Sequence, residues 1–127
     1  MAQVKGIGGV FFKSKDPAKL QAWYQENLGL PNTPSGVNFE WDKVDGVEEK
    51  MTIWCPFPDD TTYFNPTNPT SSSFMINYIV DDLDGMLTQL RAKGVQVDDK
   101  VEDYDYGRFG WAVDPEGNRF ELWQPKK

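Results

Sequence analysis

Two stretches of this chain alternate between a strand-like and a helix-like hydrophobic pattern in the same order. Residues 4–14, VKGIGGVFFKS, are apolar and β-rich and predict a buried strand. Asp16-Pro17 then supplies an N-cap with proline in the first helical turn, and Leu20, Trp23, Tyr24 and Leu28 recur at helical spacing up to a stop at Gly29. Strand patterns follow at 37–42 (VNFEWD) and 50–57 (KMTIWCPF). The segment 56–73, PFPDDTTYFNPTNPTSSS, reads as a connector with a short strand near Thr62–Phe64. The order then restarts. SFMINYIV at 73–80 is a strand, Asp81-Asp82 a cap, and Leu83, Met86, Leu87 and Leu90 a helical stripe ending at Gly94. Strands are expected near 95–102, at 108–113 and at 119–124, the last two joined by DPEG (114–117), whose residue order suits a type I turn.

Superposing Asp16 on Asp82 also aligns Phe11 with Asn77 and Gly9 with Met75. The pattern is an internal duplication of a βαβββ unit, an α+β chain with a first module at 1–65 and a second at 73–127 in one domain, 1–127. Neither module buries both faces of its own sheet, so the modules must pair, within one chain or across a homodimer.

Composition narrows the chemistry. There is no histidine in 127 residues, which excludes Ser-His-Asp and Cys-His nucleophile systems and any histidine-built metal site. The net charge of −7 opposes nucleic acid and anionic membranes as partners. One cysteine, Cys55, excludes an intrachain disulfide and suits a reducing, cytoplasmic setting. No apolar run reaches membrane-spanning length, and MAQVKGIGGVFFK has no signal-peptide core.

DPAKLQAWYQENLGL, INYIVDDLDGMLTQLRAKGV and above all GRFGWAVDPEGNRFELWQP are similar to segments of the vicinal oxygen chelate superfamily. That group includes glyoxalase I, extradiol dioxygenases, fosfomycin-resistance proteins, methylmalonyl-CoA epimerase and bleomycin-binding proteins. The resemblance covers nearly the whole chain. It implies a curled eight-stranded sheet around a cleft, with a helix on the convex side of each half. It also implies metal-ligand positions at Gly9, near Tyr63, at Met75 or Asn77, and at Glu121. Only Glu121 keeps a ligand type there, so the resemblance is to the metal-free, bleomycin resistance-like members that bind small molecules, and no metal or other cofactor is expected.

The candidate site follows from strand alternation. Glu121 shares a face with Arg119 and Trp123, either as a cleft carboxylate able to act as base or ligand anchor, or as an ion-pair partner of Arg119 or Arg108. Asn77 is a strand amide that needs partners. Phe11, Trp54, Tyr63, Phe109, Trp111 and Trp123 are the aromatic candidates for the cleft wall, with Arg108 as a further polar anchor. GIGG at 6–9 departs from the dinucleotide fingerprint and reads as a glycine-softened strand that opens room in the cleft. Cys55 lacks an activating base, and DDKVEDYDY at 98–106 reads as a solvated hairpin face.

The expected function is glyoxalase-like binding of a small apolar or planar organic molecule without a catalytic metal. One alternative is a lyase or isomerase with Glu121 as its acid/base; another is an interaction protein whose cleft is filled by Trp54, Trp111 and Trp123.

Overall fold

The computed structural model describes residues 2–31, 33–41, 51–66 and 72–126. Its elements in chain order are β1 (Val4–Ser14), α1 (Pro17–Leu28), β2 (Val37–Glu40), β3 (Met51–Pro58), β4 (Phe74–Val80), α2 (Leu83–Ala92), β5 (Gln96–Val97), β6 (Glu102–Tyr104), β7 (Gly107–Val113) and β8 (Arg119–Pro125). All eight strands join one mixed sheet in the order β2-β3-β1-β4-β8-β7-β5, with β6 also on β7. The two halves meet in the middle, where β1 runs antiparallel to β4. No helix among the described residues is long and apolar enough to cross a membrane.

Local chemistry sets the element ends. The Asp16 side chain accepts from Lys19 N at 3.1 Å, and Asp82 accepts from Gly85 N at 3.0 Å, so each helix starts on a carboxylate that satisfies a free amide. Gly29 closes α1 with φ 74°. In the β7–β8 hairpin, Gly117 N–H donates to the Asp114 carbonyl (3.0 Å), and the Asp114 side chain accepts from the amides of Glu116 and Asn118 (2.9 Å each).

Both helices lie on one face of the sheet. Leu83 and Leu87 of α2 bury against Val80 and Leu122, with Met86 and Leu90 packed beside them, so the apolar stripe of α2 does what its spacing predicts. The stripe of α1 does so only in part. Tyr24 meets Trp54 edge-on at 4.9 Å, but Trp23 and Leu28 are 53% and 64% exposed.

The expected strand near Thr62–Phe64 is a turn instead. Tyr63 and Phe64 are consecutive yet both reach over the sheet face opposite the helices: Tyr63 bonds Glu121, and Phe64 is buried among Phe11, Met75 and Trp111. Alternation forbids that in a strand, so the two anchors fix a loop. The expected strand at 95–102 divides into β5 and β6, each pairing separately with β7. The first half thus supplies three strands and the second five among the described residues. Lys50 and Asp42, at the ends of two expected strands, lie outside them.

Candidate functional site

The strand registers align one row of residues across the sheet. Ile53 of β3 pairs with Gly9 of β1, Gly9 with Asn77 of β4, Asn77 with Glu121 of β8, and Glu121 with Trp111 of β7. Cross-strand partners share a face, so these side chains form the floor of the face opposite the helices. Register therefore puts Asn77, rather than Met75, beside Glu121. Met75 is fully buried in the cluster of Phe11, Phe64 and Trp111.

Glu121 is 2% exposed and is met by three donors. Asn77 Nδ2 reaches its Oε1 at 2.6 Å, Trp111 Nε1 reaches its Oε2 at 3.0 Å, and the Tyr63 hydroxyl also donates to Oε2. Burial pushes the Glu121 carboxyl above its ordinary range, while these three bonds and the charge of Arg119 pull it back. Burial, and then the Glu121 charge, raises the Tyr63 phenol, which keeps it a protonated donor. Arg119 is not the carboxylate's bonded partner. Its guanidinium pairs with Asp98 at 3.0 Å, donates to the Tyr63 carbonyl, and lies 5.7 Å from the Tyr63 ring centroid and 5.2 Å from that of Trp111. It clamps the Tyr63 loop to the sheet.

Above this floor opens a cavity of about 380 Å³. Phe11, Tyr63, Asn77, Phe109, Glu121 and Trp123 all line it, and Trp111 lies behind them as a donor to Glu121. Phe109 and Trp123 stack with ring planes 4° apart, and Phe57 and Tyr63 with planes 2° apart. At Gly8 the β1–β4 register shifts, and a Cβ there would stand 2.3 Å from Asn77 Oδ1 and 2.9 Å from Trp123. The absence of a side chain at Gly8 is what lets Asn77 and Trp123 both reach the cavity.

Two expected cleft residues are elsewhere. Trp54 is one position out of phase with Ile53 and Cys55; it packs on the helix side with Phe12 at 5.3 Å and with Tyr24. Arg108 alternates with Phe109 and so faces away from the cleft, where it pairs with Asp84 and Asp103 at 2.8 Å each. Conversely, Ile53, Phe57, Glu102, Tyr104 and Tyr106 line the cavity without having been singled out. Ile53 and Phe57 share the phase of Cys55 along β3, a signal the sequence contains. Glu102, Tyr104 and Tyr106 belong to the acidic run read as a solvated face. They are at the surface, but their inner edges form the cavity mouth. Burial raises the Cys55 thiol, which keeps it a poor nucleophile.

The donor set does not fit a divalent metal of the kind the resemblance implies. Gly9 has no side chain, and the Phe11 ring sits 2.6 Å from where its Cβ would be. Asn77 turns its amide nitrogen, not its oxygen, to Glu121, and both Glu121 oxygens already accept hydrogen bonds. Among the described residues no three His, Cys, Asp or Glu side chains converge.

A sheet with both helices on one face and an acid-floored cleft on the other defines the vicinal oxygen chelate class of fold. The glyoxalase-like domain model matches residues 9–123, and the chain belongs to that family. No curated protein matches the sequence. Among solved structures, a variant of Streptomyces coelicolor methylmalonyl-CoA epimerase in complex with 2-nitronate-propionyl-CoA aligns with a TM-score of 0.73 at 14% identity, over 98% of this chain and 100% of that one. Methylmalonyl-CoA epimerase from Mycobacterium tuberculosis aligns at 0.64 and 19% identity, over 98% and 90%. A structure described as NAD-dependent benzaldehyde dehydrogenase from Legionella pneumophila aligns at 0.59 and 18%, over 93% and 98%. At these identities the likeness is one of fold.

Proposed function

We propose that this protein binds a small apolar or planar organic molecule in the aromatic cleft and uses no catalytic metal to do so. The observation that carries this reading is the cavity itself, about 380 Å³ walled by rings, with a few polar groups at its floor. The unfit metal donor set supports the second clause. The reading extends to a cytoplasmic homodimer of this one domain, with exposed Val4, Ile7, Phe39 and Phe74 as apolar surface available for pairing. The charge of −7 supports the absence of nucleic-acid and anionic-membrane partners.

Native mass spectrometry of freshly purified protein tests these statements together. The expected spectrum is a dimer carrying an organic adduct or accepting one planar ligand per chain, with no stoichiometric zinc, nickel, manganese or iron after soaking. Tight one-to-one metal uptake accompanied by turnover would overturn the reading.

A second reading, a lyase or isomerase, is favoured by one observation: the buried Glu121 carboxyl is raised above its ordinary range, as a general acid/base near neutral pH requires. Two structural neighbours, both methylmalonyl-CoA epimerases, point the same way. Its mark is a pH-dependent activity that Glu121→Gln abolishes while ligand affinity survives. The filled-cleft alternative is disfavoured, since Trp54 lies on the helix side and a cavity stands open beside Trp123.

A further inference from the structure

The polar groups facing the cleft are not a balanced set of donors and acceptors. Asn77 is 2% exposed, and its Oδ1 is the one buried side-chain polar atom among the described residues that has no hydrogen-bond partner. It lies against the glycine gap at Gly8, and Asn77 itself is among the cavity-lining residues. An unmet buried acceptor of this kind costs free energy until a donor reaches it.

Apart from the Tyr106 hydroxyl at the mouth, the side-chain donors of the cleft are already engaged. The Tyr63 hydroxyl and Asn77 Nδ2 go to Glu121, the Tyr104 hydroxyl to Glu102, and Trp123 Nε1 to the Tyr106 carbonyl at 3.1 Å. The charged residues lining the cavity are Glu121 and Glu102, the latter paired with the exposed Lys100 at 3.0 Å, and no lysine or arginine is among the described lining residues. The nearby cation Arg119 is held by Asp98 and covered by Tyr63 and Trp111. The walls are flat π-faces, Tyr104 on Tyr106 and Phe109 on Trp123, each pair stacked within 4°.

We propose that the cleft selects a planar organic cation carrying N–H donors, one of which meets Asn77 Oδ1, and discriminates against planar anions. Ring faces and carboxylates both favour positive charge, and the orphaned oxygen demands a hydrogen. An anionic ligand would meet acceptors at the floor, with the exposed Tyr106 hydroxyl as an uncommitted donor at the mouth. This rests on the reading that the cleft binds a small organic molecule, and narrows it to a chemical class.

Isothermal titration of the full chain with three tricyclic probes of similar size tests the proposal: 9-aminoacridine (a cation with N–H groups), 9-(dimethylamino)-10-methylacridinium (a cation without them) and acridine-9-carboxylate. The expected result is one 9-aminoacridine per chain, bound roughly tenfold or more tighter than either other probe. Glu102→Gln should lower the preference for the cation over the anion about threefold, by removing charge at the cavity mouth. Glu116→Gln, on the exposed β7–β8 turn, should leave that ratio unchanged. Equal effects of the two variants would overturn the proposal by assigning the preference to net charge. Equal binding of the two cations would overturn the role of Asn77. One-to-one binding of all three probes with equal affinity would refute cation selection while leaving the cleft as a binding site. Binding of none would remove both.

Discussion

Replacing Tyr63 with phenylalanine removes one oxygen from the centre of the site and leaves the ring. The Phe57 stack, with centroids 6.0 Å apart, and the Arg119 contact both survive, so the change isolates the bond to Glu121. A hydrogen bond to a buried charge contributes about 1.5–3 kcal/mol net. Two considerations favour the lower end of that range. Tyr63 itself is 36% exposed, so water replaces some of the lost donation, and Glu121 keeps the bonds from Asn77 and Trp111. The expected loss is therefore about 1.5 kcal/mol. It should appear in urea unfolding as a lower midpoint at unchanged slope. In a Glu121→Gln background the same change should cost about half as much, because a neutral acceptor holds a hydroxyl about half as strongly as a carboxylate. An undiminished loss in that background would mean that Tyr63 stabilises through its loop rather than through the acid. No loss in either background would refute the network as a source of stability.

The helix-face assignments of Trp54 and Arg108 give a paired expectation. Trp54→Leu should cost about 2 kcal/mol through its contacts with Phe12 and Tyr24, and Arg108→Ala less than about 1 kcal/mol. Neither should change affinity for a cleft ligand by titration. Gly8→Ala should cost about 1–3 kcal/mol and weaken ligand binding, because its methyl group would displace Asn77 and Trp123; thermal unfolding and titration measure both. The raised Glu121 carboxyl makes the folded state bind its proton more readily than the unfolded state, whose value is about 4.3. Wild-type stability minus that of Glu121→Gln should therefore rise as pH falls through the raised folded value, and level off below the unfolded one. Urea midpoints of both proteins from pH 8 to pH 4 test the sign.

Much of this was readable from spacing because it depends on local rules. Asp16, Asp82 and Gly29 act as caps in any context that continues the chain as a helix, and DPEG closes a hairpin by its own hydrogen bonds. Period-2 alternation likewise carried Glu121, Trp123, Phe109 and Asn77 to one face. Trp54 was misplaced by taking residue type over phase, since its neighbours Ile53 and Cys55 point the other way. Tyr63 and Phe64 could not be read as a loop from composition alone, because what denies them a strand is the tertiary demand that both side chains reach the same face. The contribution of Tyr104 and Tyr106 was hidden for a related reason: their charged neighbours dominate the local pattern, and only the turn back into β7 brings their inner edges to the cavity. Which of Met75 and Asn77 stands beside Glu121 depended on register between strands distant in sequence, which a single strand does not encode.

Register also explains why the acid at Glu121 has consequences beyond its own position. A buried carboxylate needs donors, and the row across the sheet supplies them from Asn77 and Trp111, with Tyr63 descending from the loop. Trp111 has only an N–H to give, and the Tyr63 hydroxyl stays protonated, but Asn77 has two unlike ends. Because Glu121 draws the nitrogen end at 2.6 Å, the oxygen end is left pointing away from the acid, over Gly8. An apolar residue at 121 would remove that constraint and free the amide to turn. The acid at 121 thus does two things through one bond. It holds the floor of the cleft together, and it fixes which end of the Asn77 amide turns toward Gly8.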